Sequence, residues 1–274
     1  MKNITDELIS ALRSLSKDTA SHKRRQKFTS AVIVTAGNGT RFDAFGAGTK
    51  QMALLRGVPV IVRTIAAFEE CDCIDEIVVV ARRNEIDKYR QFEEEYGFHK
   101  ISAVVEGGET RQISSLRGFD AVSPKCRFVA VHDGARCLVT QDIIRKVAEA
   151  AYDCGAAAAG TKARDTIKYA DSDGCIDSTI DRNYVWMVQT PQVFSTNIYR
   201  ASAYMAQRDG AEVTDDCMLA ERLGFKIRLV ECGSENLKMT FPEDMYLAQS
   251  VLERRGETDE RFKESRGESG TEAV

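Results

Sequence analysis

Short runs of apolar and β-branched residues recur along this chain at Ala31–Thr35, Glu76–Ala81, Ile101–Val105, Phe128–His132 and Ala156–Thr161, separated by helix-length amphipathic stretches. Strands without polar alternation are buried on both faces, and their alternation with helices predicts a mostly parallel sheet covered on both sides. The expected fold class is α/β, doubly wound and Rossmann-like. The rhythm breaks at Asp165–Arg182, where TIKYA and CIDSTI flank the turn-rich Asp171-Ser172-Asp173-Gly174. That pattern predicts a β-hairpin arm at about 163–183 projecting from the sheet. Helices are expected from about Asn197, from about Thr214 and near Pro242, with a strand at Lys226–Glu231. Thr214 reads as a helix N-cap with Asp215 and Asp216 in the first turn.

The two ends differ from this body. Ile4, Leu8, Ile9, Leu12 and Leu15 recur at helical spacing before the basic run Lys23, Arg24, Arg25 and Lys27, so residues 1–27 read as an appended helix and a solvated basic linker. Residues 253–274 have almost no apolar content and are expected to be a disordered charged tail. One domain over 28–252 lies between them.

Composition excludes several classes. The 274 residues are 43% hydrophobic and 29% charged, the balance of a folded protein, and no apolar run approaches the ~20 residues of a membrane-spanning helix. The N-terminal residues lack a signal peptide's apolar core. A net charge of −4 gives no reason to expect nucleic-acid binding. The eight cysteines include one C-x-C and no C-x-x-C, and read as reduced thiols of a cytoplasmic protein.

Chemistry concentrates where predicted strands end. The first runs into Ala36-Gly37-Asn38-Gly39-Thr40-Arg41, and Lys50-Gln51 follows nine residues after Arg41. Ligands of open α/β sheets bind beyond the strands' carboxyl ends. Small residues there let backbone N–H groups approach a phosphate. A P-loop is excluded because Gly-Lys-Ser/Thr is missing, and the dinucleotide fingerprint fails at its third glycine, where Phe42 stands. A glycine loop with two cations over an anionic ligand remains. The third strand ends in Glu106-Gly107-Gly108-Glu109-Thr110-Arg111-Gln112, followed by Ser114 and Ser115, and the fourth in His132-Asp133-Gly134-Ala135-Arg136. Asp133 suits Mg²⁺, which bridges a carboxylate and substrate phosphates. His132 has no ligand-spaced partner and is expected to be a structural, hydrogen-bonded residue.

In order and spacing, TAGNGTRF, TKQM, GGETRQISS, HDGAR, ARDTIK, IDRNYVW, QTPQVF, TDD and NLKMTFPEDM resemble the 2-C-methyl-D-erythritol 4-phosphate cytidylyltransferases, from Ala31 to about Leu252. The resemblance implies a nucleotidyltransferase taking CTP and a small sugar-alcohol phosphate, with Mg²⁺ or another divalent cation. Ala36, Gly37, Gly107, Gly108, Glu109 and Ser114 would surround cytosine. Gly39, Arg41 and Lys50 would hold the triphosphate, and Arg41, Lys50 and Lys238 are the implied catalytic cations. Asp133 and Gly134 would meet the nucleotide, with Asp133 near the metal. Arg136, Thr190 and Thr214 would serve the acceptor. In this family the hairpin exchanges between subunits, so Thr166 and Arg182 would reach the neighbouring chain's acceptor in a homodimer.

Three positions depart from the family's usual pattern: Thr35 where it has alanine, and Thr49 and Cys137 where it has proline. Thr35 would narrow the base pocket or add a hydrogen bond. Without the prolines the loops are less restrained in φ. Ribitol 5-phosphate is the competing acceptor. A sugar 1-phosphate nucleotidyltransferase and a catalytically inactive nucleotide-binding protein fit the motifs less well.

Overall fold

A computed structural model describes residues 27–37 and 49–265. The expected N-terminal helix lies outside them, as do Gly39 and Arg41. The body is a seven-stranded sheet in the order β11-β7-β10-β6-β1-β4-β5. Four of its parallel strands are β1 (Thr29–Val34), β4 (Glu76–Ala81), β6 (Phe128–Asp133) and the edge strand β5 (Ile101–Glu106), each within a residue or two of its predicted run. A small pair, β2 (Leu54–Leu55) and β3 (Val58–Pro59), leads into α1 (Val60–Glu69). Then come α2 (Ile86–Tyr96), α3 (Arg111–Asp120) and α4 (Gln141–Cys154), in the crossovers a parallel sheet requires.

Successive residues of a buried strand face opposite layers. Ala31 and Ile33 of β1 pack with α1, α2 and α4 through Ile61, Ile65, Phe68, Tyr89 and Ile144. Val32 and Val34 pack on the other side with Leu116 and Phe119 of α3, and with Tyr199 of α5 (Thr196–Arg208). Apolar burial on both faces is why these strands lack alternation.

Beyond β7 (Ala156–Lys162), strands β8 (Ile167–Ala170) and β9 (Ile176–Ile180) pair with each other in a separate antiparallel ribbon, the predicted arm. The chain returns as β10 (Trp186–Ser195), antiparallel to β6 and β7 at the heart of the sheet. It is followed by α5, α6 (Asp216–Arg222), β11 (Arg228–Glu231) and α7 (Asp244–Arg254). Among the described residues no helix is long and apolar enough to cross a membrane.

Two expectations need correction. The N-cap of α6 is Asp215, whose carboxylate accepts from Met218 N at 3.0 Å, so Thr214 precedes the cap. Order also continues past Leu252: α7 runs to Arg254, and α8 (Glu260–Ser265) docks on the body. Phe262 is buried against Tyr96, with ring centroids 6.1 Å apart, and Asp259 pairs with Arg56 at 2.9 Å and Arg63 at 2.5 Å. One aromatic anchor and one paired carboxylate fix a segment whose average composition predicts disorder.

Candidate active site

The cavity lies where β1, β5 and β6 end, at the switch between β1 and β6 where a doubly wound sheet binds its ligand. It encloses about 340 Å³, and Ala36, Gly37, Lys50, Gly108, Glu109, Ser114, Asp133 and Lys238, all expected site residues, are in its wall. Gln51, Thr110, Arg111 and Thr240 line it as well.

Close backbone packing shapes this edge. A Cβ on Gly107 would stand 2.2 Å from Ala36 Cβ, and one on Gly134 would stand 2.6 Å from Thr35 Cγ2. Both glycines therefore let neighbouring strand ends approach, rather than presenting side chains. Ser114 accepts from Gly108 N at 3.0 Å and donates to Thr110 O at 2.8 Å, so its hydroxyl holds the turn in shape. Thr110 caps α3 by accepting from Ile113 N at 3.1 Å. The N-terminus of that ten-residue helix thus abuts the cavity, a favourable place for negative charge.

Asp133 is the electrostatic centre. Its Oδ1 meets Arg111 Nε at 2.9 Å, and its Oδ2 meets Lys238 Nζ at 2.8 Å and Arg136 Nε at 3.7 Å. Burial pushes the carboxyl up, but Arg111, Lys238 and Arg136 outweigh it and hold the group well below the usual carboxylate range. Arg111 also meets Asp216 Oδ2 at 2.6 Å, and Tyr199 OH donates to the other oxygen of Asp216 at 2.9 Å. Burial opposes the charge on Arg111, yet Asp216 and Asp133 together raise its pKa. Arg136 Nη1 donates to Asn236 O at 2.8 Å, tying β6 to the segment that carries Lys238.

His132 lies behind this layer. Asp133 N donates to Thr190 Oγ1 at 3.0 Å, so the threonine proton points to His132 Nδ1 at 3.1 Å, and Nε2–H then faces Arg136 O at 3.3 Å. Burial pushes the imidazole pKa down to about 3. His132 is a neutral brace, as its sequence context suggested. Thr190 is 3% exposed with its hydroxyl committed to that brace, so the structure places it beneath the site and away from the cavity wall.

Thr166 and Arg182 sit exposed on the arm, and Arg182 Nη1 donates to Arg164 O at 2.6 Å; neither they nor Thr214 lines the cavity of their own chain. Thr35, 1% exposed, donates its hydroxyl to Val80 O at 2.8 Å. It adds a hydrogen bond within the sheet and is not part of the cavity wall. Sequence reasoning gave neither Arg111 nor Asp216 a role in the site. The available signal was an arginine at the first position of a helix that follows a glycine turn.

Residues 29–254 match the family model of 2-C-methyl-D-erythritol 4-phosphate cytidylyltransferase, IspD. The chain belongs to this family. A 2-C-methyl-D-erythritol 4-phosphate cytidylyltransferase of Caldanaerobacter subterraneus subsp. tengcongensis is 42% identical over 226 residues, 82% of this chain and 99% of the relative. One of Alkaliphilus oremlandii is 38% identical, covering 84% of this chain and 97% of the relative. Among solved structures, the 4-diphosphocytidyl-2C-methyl-D-erythritol synthase of Anaerococcus prevotii superposes with a TM-score of 0.75 at 31% identity, covering 84% of this chain and 97% of that one. IspD membership accounts for the glycine turns and charged residues that follow β1, β5 and β6.

Proposed function

We propose that this chain transfers the cytidylyl group of CTP to 2-C-methyl-D-erythritol 4-phosphate, giving 4-diphosphocytidyl-2-C-methyl-D-erythritol and pyrophosphate. The observation that carries the reading is the convergence of Lys50, Arg111 and Lys238 with Asp133 on one strand-end cavity in a chain of this family. The acceptor's phosphate is largely dianionic at pH 7, so its oxygen attacks the α-phosphorus without a general base. The site has to align the reactants and offset the charge that grows on pyrophosphate.

Lys238 suits that task because Asp133 fixes its ammonium at the cavity wall. Lys50 lines the same cavity, and Arg41 belongs to the adjoining loop outside the described residues. Arg111 and Arg136 hold Asp133 ionised and in place. Ala36, Gly37 and Gly108 would present backbone to the base, beside Glu109, while Gly107, whose N–H and C=O meet Ala81 O and Arg117, would shape the turn. The donor set suits Mg²⁺, which takes one or two carboxylates and completes its shell with water and phosphate oxygens. Asp133 would hold the ion through water, keeping its contact with Lys238, and the ion would neutralise phosphate charge.

The arm supports a homodimer. Tyr169 and Ile176 expose 63% and 66% of their surface on it, and Tyr184 and Met187 expose 85% and 53% where the chain leaves it for β10, an apolar stretch of the kind that marks an interaction surface. A second copy covering that face would bring Thr166 and Arg182 to a neighbouring acceptor site. The reading places the enzyme in the cytoplasm, where its nucleotide substrate is held.

The test is pyrophosphate release from CTP and Mg²⁺ with either 2-C-methyl-D-erythritol 4-phosphate or ribitol 5-phosphate. Turnover with the first alone is expected. Turnover with ribitol 5-phosphate alone would overturn the choice of acceptor.

A further inference from the structure

We propose that Cys71, Asp72 and Cys73 form a binding site for a thiophilic divalent cation of the zinc class, at the end of the sheet opposite the catalytic cavity. The three residues follow α1 in a tight turn, closed by Ile74 N donating to Cys71 O at 3.2 Å. Placing cysteines first and third in the turn brings their Sγ atoms to 3.3 Å. Their sulfurs and an Asp72 carboxylate oxygen all lie within 4.8 Å of one another. Among the described residues this is the one place where three such ligand atoms converge.

Magnitudes favour a tetrahedral ion over the alternatives. Two sulfurs on one zinc at ~2.3 Å stand about 3.8 Å apart, so the pair needs to open by roughly half an ångström. Closing a disulfide would need an approach of more than about 1 Å. A linear two-sulfur ion would need the pair to open by about 1.3 Å, taking similar bond lengths. The third ligand is already oriented: Arg145 Nε and Nη2 both donate to Asp72 Oδ1, at 3.2 and 3.0 Å, which leaves Oδ2 as the ligand oxygen. Gln141 O, 3.8 Å from Cys71 Sγ, or a water would complete the shell.

Charge and access fit as well. Two thiolates and a carboxylate exceed the charge of a divalent ion by one, and the Arg145 guanidinium lies against Asp72. Lys100 Nζ donates to Cys71 O at 2.7 Å, adding a second cation beside the turn. Cys71 is buried, Cys73 half-buried and Asp72 open to solvent, so an ion enters from the Asp72 side. The turn feeds the amino end of β4, six residues and about 20 Å from the strand's carboxyl end. The site is therefore separate from Asp133.

The test uses the full-length protein, reduced with a phosphine and stripped with a chelator. Zn²⁺ uptake is read by competition with a chromophoric chelator, and Cd²⁺ uptake by thiolate-to-metal charge-transfer absorption. The expected result is one equivalent per chain with that absorption. Cys73→Ser removes both, and Asp72→Asn weakens binding by about tenfold or more. Cys175→Ser, which changes an exposed cysteine of the arm, leaves uptake intact. Cys73 is half-buried, so its replacement tests the site without opening the core as Cys71→Ser would. Uptake unchanged in Cys73→Ser, no uptake at all, or loss of a pair of hydrogens by mass without ion uptake would each overturn the proposal. An ion held at Asp133 would persist in Cys73→Ser and give no thiolate absorption.

Discussion

The carboxyl edge of the sheet and the hairpin arm, both expected from sequence to build the site, are physically opposite. At the edge, Asp133 is 8% exposed and meets cations at 2.8, 2.9 and 3.7 Å, all supplied by its own chain. On the arm, Tyr184 is 85% exposed, and the contact of Arg182 is to Arg164, at the arm's own base. The charges proposed to act on the triphosphate are thus preorganised by a packed sheet before any ligand arrives. The groups proposed for the acceptor sit on a ribbon whose apolar face one chain leaves uncovered. On the proposed function, positioning of the nucleotide would be a property of the fold, and positioning of the acceptor a property of assembly.

The largest expected effect breaks the edge. Lys238→Ala should lower turnover by about 10²–10³-fold, the usual cost of removing one preorganised charge from a transition state. Its thermal midpoint should barely move, because the side chain is 38% exposed and water can replace it beside Asp133. Arg111→Ala should differ. It leaves Asp133 and the 1% exposed Asp216 without their shared cation, a loss of about 3–5 kcal/mol in stability in addition to lost turnover. Pyrophosphate release and urea unfolding measured on both variants separate the two roles. Equal stability of the two would show that Arg111 does not brace the edge.

The next effect is smaller and titrates the brace behind the edge. His132 is neutral and buried when folded, with its pKa pushed down to about 3 from 6.5. The unfolded chain therefore binds the extra proton first, and stability is full above pH 6.5 and declines as pH falls toward 3. At pH 5 the loss is on the order of 2 kcal/mol. Urea midpoints at pH 7 and 5, compared with those of His132→Gln, check this, since the variant should lose most of the slope.

How much of this was legible follows the same division. The central strands were readable because burial on both faces leaves unbroken apolar runs such as Ile77–Ala81. β10 was not, because it carries Gln189, Thr190, Pro191 and Gln192 through the core. Those polar side chains are satisfied from afar: Gln192 accepts from Cys217 N at 3.0 Å, and Gln189 accepts from Asn236 Nδ2 at 2.9 Å. Asp133 and Lys238 stood in recognisable motifs, whereas the role of Arg111 depends on Asp216, 105 positions later. Phe262 escaped for a related reason, since local composition carries no record of Tyr96 and Arg63 waiting to receive it.

The smallest effect sharpens the comparison most, because it asks whether edge and arm of one site come from different chains. Lys238→Ala disables an edge and Arg182→Ala disables an arm, and each homodimer should be nearly inactive. If every site pairs one chain's edge with its partner's arm, a mixed dimer contains one doubly damaged site and one intact site. Random exchange makes half the dimers mixed, so an equimolar mixture should regain about a quarter of wild-type turnover. Sites completed within a single chain would regain nothing, since every site would then carry one lesion. Tyr184→Asp in both chains, which charges the exposed face of the arm, should abolish the recovery and shift sedimentation toward monomer. Undiminished recovery from a dimer that Tyr184→Asp leaves intact would show that a second copy does not cover this face of the arm.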